Sequence, residues 1–219
     1  MKYNGVIFDF NGTLFKDTEY HILAWGDLCK EICGKDLSRE EMETEMCGVP
    51  NVEAVLRMDP SLSKEEAEAY SQKKEALYRD FVRNAPGGEH LTSGAEELFA
   101  WLNEKGIPFT IASASIIENI DFFVEYFHLD RWLDPAMIVY DDGTYSDKTA
   151  MFIEAKKRIG ADRILVFEDS IAGITCAEQL GMNVIAMKTE VLKDVYRKHP
   201  CVIDTVDDFT GVIPYLENN

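Results

Sequence analysis

Four short runs in this chain are apolar on every residue or nearly so: Val6-Ile7-Phe8, Phe109-Thr110-Ile111-Ala112, Ile164-Leu165-Val166-Phe167 and Val184-Ile185-Ala186-Met187. A strand that alternates apolar and polar residues needs one covered face, whereas a strand apolar throughout needs cover on both, the situation of a parallel sheet between two helical layers. Helical patterns separate the runs. Residues 94–105 stop at Gly106, residues 149–159 at Gly160 and residues 171–180 at Gly181, each glycine suited to end a helix. The alternation predicts an α/β fold, a doubly wound, Rossmann-like parallel sheet.

Residues 16–88 break the alternation with helical signals only. An amphipathic run covers Tyr20 to Cys33, capping-box patterns stand at Ser38-Arg39-Glu40-Glu41 and Ser63-Lys64-Glu65-Glu66, and a charged helix runs through Arg83. We expect an all-helical domain at 16–88 inserted after the first strand, with the α/β core made of 1–15 and 89–219. Phe15-Lys16-Asp17 and Pro86-Gly87-Gly88 would be the two hinges. Trp25, Met42 and Met46 fall at helical spacing and read as helical-domain core.

Charge narrows the partners. Forty acidic against 22 basic residues give a formal charge of −18, which repels nucleic-acid backbones and anionic membranes. Five cysteines (Cys29, Cys33, Cys47, Cys176 and Cys201) contain no CxxC pair and no zinc spacing, so they are expected to be reduced. With no signal-peptide pattern and no apolar run of spanning length, the expectation is a cytoplasmic protein, a monomer or weak dimer. If such an acidic chain handles a phosphorylated small molecule, it needs a bound cation or a few placed lysines.

Ligands of an open α/β sheet bind beyond the carboxyl ends of its strands. There the first strand delivers Asp9, the second run Ser113, and the third Glu168 and Asp169, while Lys148 sits in the first turn of the helix before the third run. Asp and Ser in these places also serve as helix caps or turn residues. A lysine opposes the dipole of a helix N-terminus unless an anion lies close. Three converging carboxylates repel one another unless a hard divalent cation such as Mg²⁺ sits among them.

At this point the sequence resembles the haloacid dehalogenase superfamily of phosphohydrolases, and within it the branch of beta-phosphoglucomutase. Asp9-Phe10-Asn11-Gly12-Thr13 is similar to the first family motif, in which Asn11 is normally a second Asp, and Asp17-Thr18-Glu19-Tyr20-His21 follows as in this branch. Ile111 to Ser115 is similar to the second motif, Lys148 to the third, and Val166 to Ile174 to the fourth. The resemblance implies that Asp9 is a nucleophile forming an aspartyl-phosphate. Mg²⁺ would be held by Asp9, the Asn11 carbonyl and Asp169, with Glu168 close behind. Ser113 and Lys148 would bind the transferring phosphoryl group, with Gly12, Thr13 and Ala114 lining its site and His21 facing it from the cap. The substrate implied is a small phosphorylated metabolite. Ser115 reads as the N-cap of a helix starting near Ile116.

In the family the second aspartate protonates the leaving oxygen and then deprotonates the attacking water. An amide does neither. Three readings of Asn11 follow: a native residue in a weak phosphatase or one suited to good leaving groups such as acyl phosphates, an engineered change that traps an intermediate, or a phosphoryl-binding relative without turnover. We take it as native, with reduced phosphatase activity. Asn11-Gly12 is also a deamidation-prone pair that could slowly yield some Asp. Sugar phosphomutase chemistry is the alternative enzyme reading, but Gly48-Val49-Pro50-Asn51 lacks the arginine that mutases of the branch use for a second phosphate.

Overall fold

The structure, a computed structural model, describes residues 2–36, 38–42, 46, 49–189 and 198–218. The chain forms two compact units, residues 1–16 with 90–219 and residues 17–89. Cys47 and Gly48, both named above, lie outside the described residues.

The first unit is a six-stranded sheet of order β3-β2-β1-β4-β5-β6, parallel throughout. Its strands are β1 (Gly5–Phe8), β2 (Phe109–Ser113), β3 (Val139–Tyr140), β4 (Ile164–Glu168), β5 (Asn183–Met187) and β6 (Val202–Val206). The four apolar runs became β1, β2, β4 and β5. The short edge strands β3 and β6 were not legible, because β3 has two residues and β6 is only half-buried.

Successive residues of a strand face opposite layers, and the central strands show it. Phe8 and Phe167 stack at 5.0 Å and meet Phe209, while Phe8 also meets Phe99 and Phe109 edge-on. The neighbouring Ile7 and Val166 belong instead to a cluster with Met151, Phe152 and Ala155 of α7 (Lys148–Ile159) and with Ile174 and Ala177 of α8 (Ile171–Gln179). Phe99 comes from α5 (Ala95–Glu104). Burying one such side chain contributes about 1.5–3 kcal/mol, so both sheet faces are firmly covered. α6 (Ile117–Tyr126) follows β2, and α9 (Val212–Asn218) ends the unit.

The second unit is helical: α1 (Thr18–Cys33), α2 (Arg39–Glu41), α3 (Asn51–Met58) and α4 (Lys64–Arg83). Both capping boxes form. Ser38 and Ser63 each accept from the backbone N–H three residues on, and Glu41 and Glu66 return the bond. Trp25, Met42 and Met46 pack with Ile22, Leu28, Ala54, Val55 and Ala67 as the core of this unit. α3 was not foreseen from sequence. Among the described residues no helix is long and apolar enough to cross a membrane, and Cys29, Cys33, Cys176 and Cys201 are free thiols.

Candidate active site

Parallel pairing of β2, β1 and β4 aligns their carboxyl ends, since Phe8 is in register with both Ile111 and Phe167. Asp9 follows one residue beyond β1, and its N–H donates to the Phe167 carbonyl at 2.9 Å. The chain then turns sharply. Gly12 has φ 78 and donates its N–H to Phe15 O at 2.7 Å. A Cβ there would lie 2.1 Å from Asp169 Oδ2, so glycine is required both by backbone conformation and by the close approach of that carboxylate. Thr13 is fully buried and its hydroxyl reaches Asp169 Oδ1 at 3.4 Å.

Lys148 is the first residue of α7, capped by Asp147. Its ammonium donates to Asp9 Oδ1 at 2.5 Å and to Glu168 Oε2 at 2.9 Å. The other Glu168 oxygen accepts from the Ser170 N–H at 3.2 Å and from the Ser170 hydroxyl. Gly173 makes room for this buried carboxylate, as a Cβ at that position would stand 2.3 Å from Glu168 Cδ. Ser170 also caps α8 by accepting from the Gly173 N–H.

Asp9, Glu168 and Asp169 each offer an oxygen within 4.8 Å of the others. Burial first, and then the Glu168 charge, push the Asp9 carboxyl up to about 7 against the lowering effect of Lys148. Burial alone would lower Lys148, but Asp9 and Glu168 outweigh it and raise it, so the lysine stays an ammonium. Lys148 thus meets two of the three carboxylates, and burial with the Glu168 charge outweighs it at Asp9. The three carboxylates form a hard, all-oxygen donor set that fits a divalent ion of the Mg²⁺ type and does not suit a soft metal.

Asn11 Oδ1 accepts from two hydroxyls, Ser115 at 2.7 Å and Ser113 at 3.2 Å. Ser115 is thus not the helix cap that its position suggested. α6 is capped by Ile116 without a side-chain bond, and the serine hydroxyl turns to Asn11 instead. Ala114 lies exposed between the two serines. Contacts therefore link Asp9, Lys148 and Glu168, link Asn11 with Ser113, and set Gly12 and Thr13 against Asp169.

His21 belongs to the helical unit and has its partners there. Nδ1 lies 2.7 Å from Lys74 Nζ, Nε2 lies 3.3 Å from Asp17 Oδ2, and the ring stacks on Tyr78 at 4.2 Å. Asp17 also accepts from the Tyr78 hydroxyl at 2.6 Å. Lys74 donates to Glu75 Oε1 at 2.9 Å, and that same oxygen accepts from Asn51 Nδ2 at 2.6 Å. Asp17, Lys74 and Glu75 are buried. The sequence did carry a signal for Lys74: it sits on the stripe Ala67, Tyr78 and Val82, where a charged residue is out of place without partners.

A buried carboxylate, a bridging lysine and an acidic pair at the carboxyl ends of adjacent parallel strands are what fold and geometry define. The chain belongs to the haloacid dehalogenase-like hydrolases, whose family profile matches residues 3–181. A crystal structure of a HAD hydrolase of family IA, variant 3, from Entamoeba histolytica is similar at 31% identity and TM-score 0.86, covering 94% of this chain and 93% of that one. A beta-phosphoglucomutase from Clostridium difficile shares the fold at 19% identity and TM-score 0.77, covering 98% and 96%. (DL)-glycerol-3-phosphatase 1, mitochondrial, of Arabidopsis thaliana is 26% identical across an alignment 213 residues long that covers 87% of this chain and 66% of that relative.

Proposed function

We propose that the protein is a Mg²⁺-dependent phosphatase acting on a small phosphorylated metabolite, with Asp9 as the nucleophile and reduced activity because of Asn11. The observation that carries this reading is Lys148 bridging Asp9 and Glu168 at the carboxyl ends of β1 and β4. Similarity to a glycerol-3-phosphatase supports a monophosphate substrate.

Asp9 Oδ would attack phosphorus while Lys148 and the Ser113 hydroxyl offset charge on the phosphoryl oxygens, which is catalysis by positioning and electrostatics. A divalent ion would be held by Asp9, the Asn11 carbonyl and Asp169, with Glu168 behind, and would supply the positive charge that this acidic cluster lacks. Gly12, Thr13 and Ala114 would line the phosphoryl site. Lys148, charged throughout, keeps Asp9 oriented. His21 is engaged by Asp17 and Lys74, so we assign it to holding that network together with any part it takes in substrate binding.

Two other readings keep a supporting observation each. Asn11 favours a phosphometabolite-binding protein without turnover. Similarity in fold to beta-phosphoglucomutases favours a phosphomutase, against which Asn51 stands where an arginine was looked for, its amide committed to Glu75. The test is hydrolysis of an activated aryl phosphate and of glycerol 3-phosphate by the protein and by Asp9→Asn, with Mg²⁺ and with a chelator. We expect Mg²⁺-dependent release of phosphate that Asp9→Asn abolishes. Tight phosphate-ester binding with no release would select the binding protein.

A further inference from the structure

Asn11 sits where proton transfer is expected, and its surroundings fix what it does instead. Its Oδ1 accepts from the Ser115 and Ser113 hydroxyls at 2.7 and 3.2 Å. Two hydroxyl donors on one side set the amide's orientation: oxygen toward the serines, Nδ2 turned away from them. The side chain is held as a fixed hydrogen-bond donor with no proton to give or accept on the catalytic timescale.

We propose that the site is specialised for acyl phosphates, the mixed anhydrides of a carboxylic acid and phosphate. This rests on Asp9 being the nucleophile. In the transfer step an Asp9 oxygen bonds to phosphorus as the bond from phosphorus to the acyl oxygen breaks, and the electron pair departs with a carboxylate. The acid conjugate to that leaving group has a pKa of about 4, so it departs without a proton. An alkyl phosphate must expel an alkoxide with a basicity of the order of hydroxide, whose conjugate acid water has a pKa of about 16, and it needs the general acid that Asn11 cannot be. The aspartyl-phosphate formed is itself an acyl phosphate, so one mixed anhydride is exchanged for another at little cost. In the second step water attacks phosphorus, the Asp9 carboxylate leaves with the electron pair, and the water proton passes to product phosphate and solvent. With no base at position 11 this step is slow, and phosphorylated Asp9 accumulates. Ser115 is a positioning residue in this scheme, acting through the amide.

The experiment compares kcat/KM for acetyl phosphate, p-nitrophenyl phosphate and glycerol 3-phosphate, with Mg²⁺, in the protein, in Asn11→Asp and in Asp9→Asn. Peptide mass confirms that Asn11 is intact in each preparation. General acid–base catalysis contributes roughly 10²–10⁴-fold, so the preference for acetyl phosphate over glycerol 3-phosphate should exceed that of Asn11→Asp by about this factor. Intact mass after acetyl phosphate should show a phosphoryl adduct that Asp9→Asn lacks and that Asn11→Asp loses rapidly. The same preference in the protein and in Asn11→Asp, or no adduct with acetyl phosphate, would overturn the proposal. If Asp9→Asn retains full hydrolysis, the phosphatase reading itself fails. If Asp9 is required but the leaving-group preference ignores position 11, only the acyl-phosphate specificity falls.

Discussion

The α/β unit and the helical unit each bury carboxylates around a lysine, yet they balance the charge differently. Among the described residues of the helical unit every buried carboxylate has protein donors: Asp17 takes Tyr78 and His21, and Glu75 takes Lys74 and Asn51. In the α/β unit Asp9 and Glu168 share the ammonium of Lys148, Asp169 offers an oxygen within 4.8 Å of theirs, and Asp9 is pushed up to about 7. Buried charge that is satisfied internally holds a structure in one arrangement. Buried charge left unbalanced is an invitation to a ligand, and the difference separates a structural network from a candidate active site.

The comparison breaks most readily at Asp9, Lys74 and Gly173. Asp9→Asn should take phosphate release to background while leaving the unfolding midpoint within a few degrees, as read by assay and thermal melt. Lys74→Met should leave Glu75 buried without its cation and cost about 3–5 kcal/mol in urea unfolding, with Glu75→Gln in the same chain recovering much of it. Should Lys74→Met instead be neutral, the helical network is not the closed structural device described. Gly173→Ala pushes a methyl into Glu168 and should cost about 1–3 kcal/mol, and it should weaken Mg²⁺ binding as well, whereas Lys74→Met should not.

The smallest effect is one of pH. Below about 7 a proton competes for Asp9, so Mg²⁺ affinity should rise with pH up to about 7, at most tenfold per unit, and flatten above it. The sign for the metal-free protein is opposite. Because the folded-state value is raised from 3.8, Asp9 binds its proton more tightly folded than unfolded, and the stability this contributes is lost as pH rises from 3.8 through about 7. Added Mg²⁺ should restore stability in that upper range, which parallel melts at two pH values would reveal.

Much of this was legible in the residues. Strands apolar on both faces can only be central parallel strands, so β1, β2, β4 and β5 and the residues at their carboxyl ends followed from the sequence, as did the capping boxes at Ser38 and Ser63. What escaped depends on tertiary contact. β3 and β6 are too short or too exposed to leave a pattern, and α3 lies in a stretch without a capping box. Ser115 looked like a cap because serines before helices usually are; only the fold brings it to Asn11, 104 positions away along the chain. Glu75 left no pattern of its own within a charged helix; it and Lys74 are buried against Asn51 and His21, which come from other helices of the same unit.

The central claim is that Asp9, Glu168 and Asp169 form a charge-deficient site built to take a divalent cation. Calorimetric titration of Mg²⁺ into the metal-free protein and into Asp169→Ala, at a pH above 7, tests it most directly. The account predicts a single saturable site in the protein that Asp169→Ala loses. Equal binding by both, or no binding by either, would contradict it.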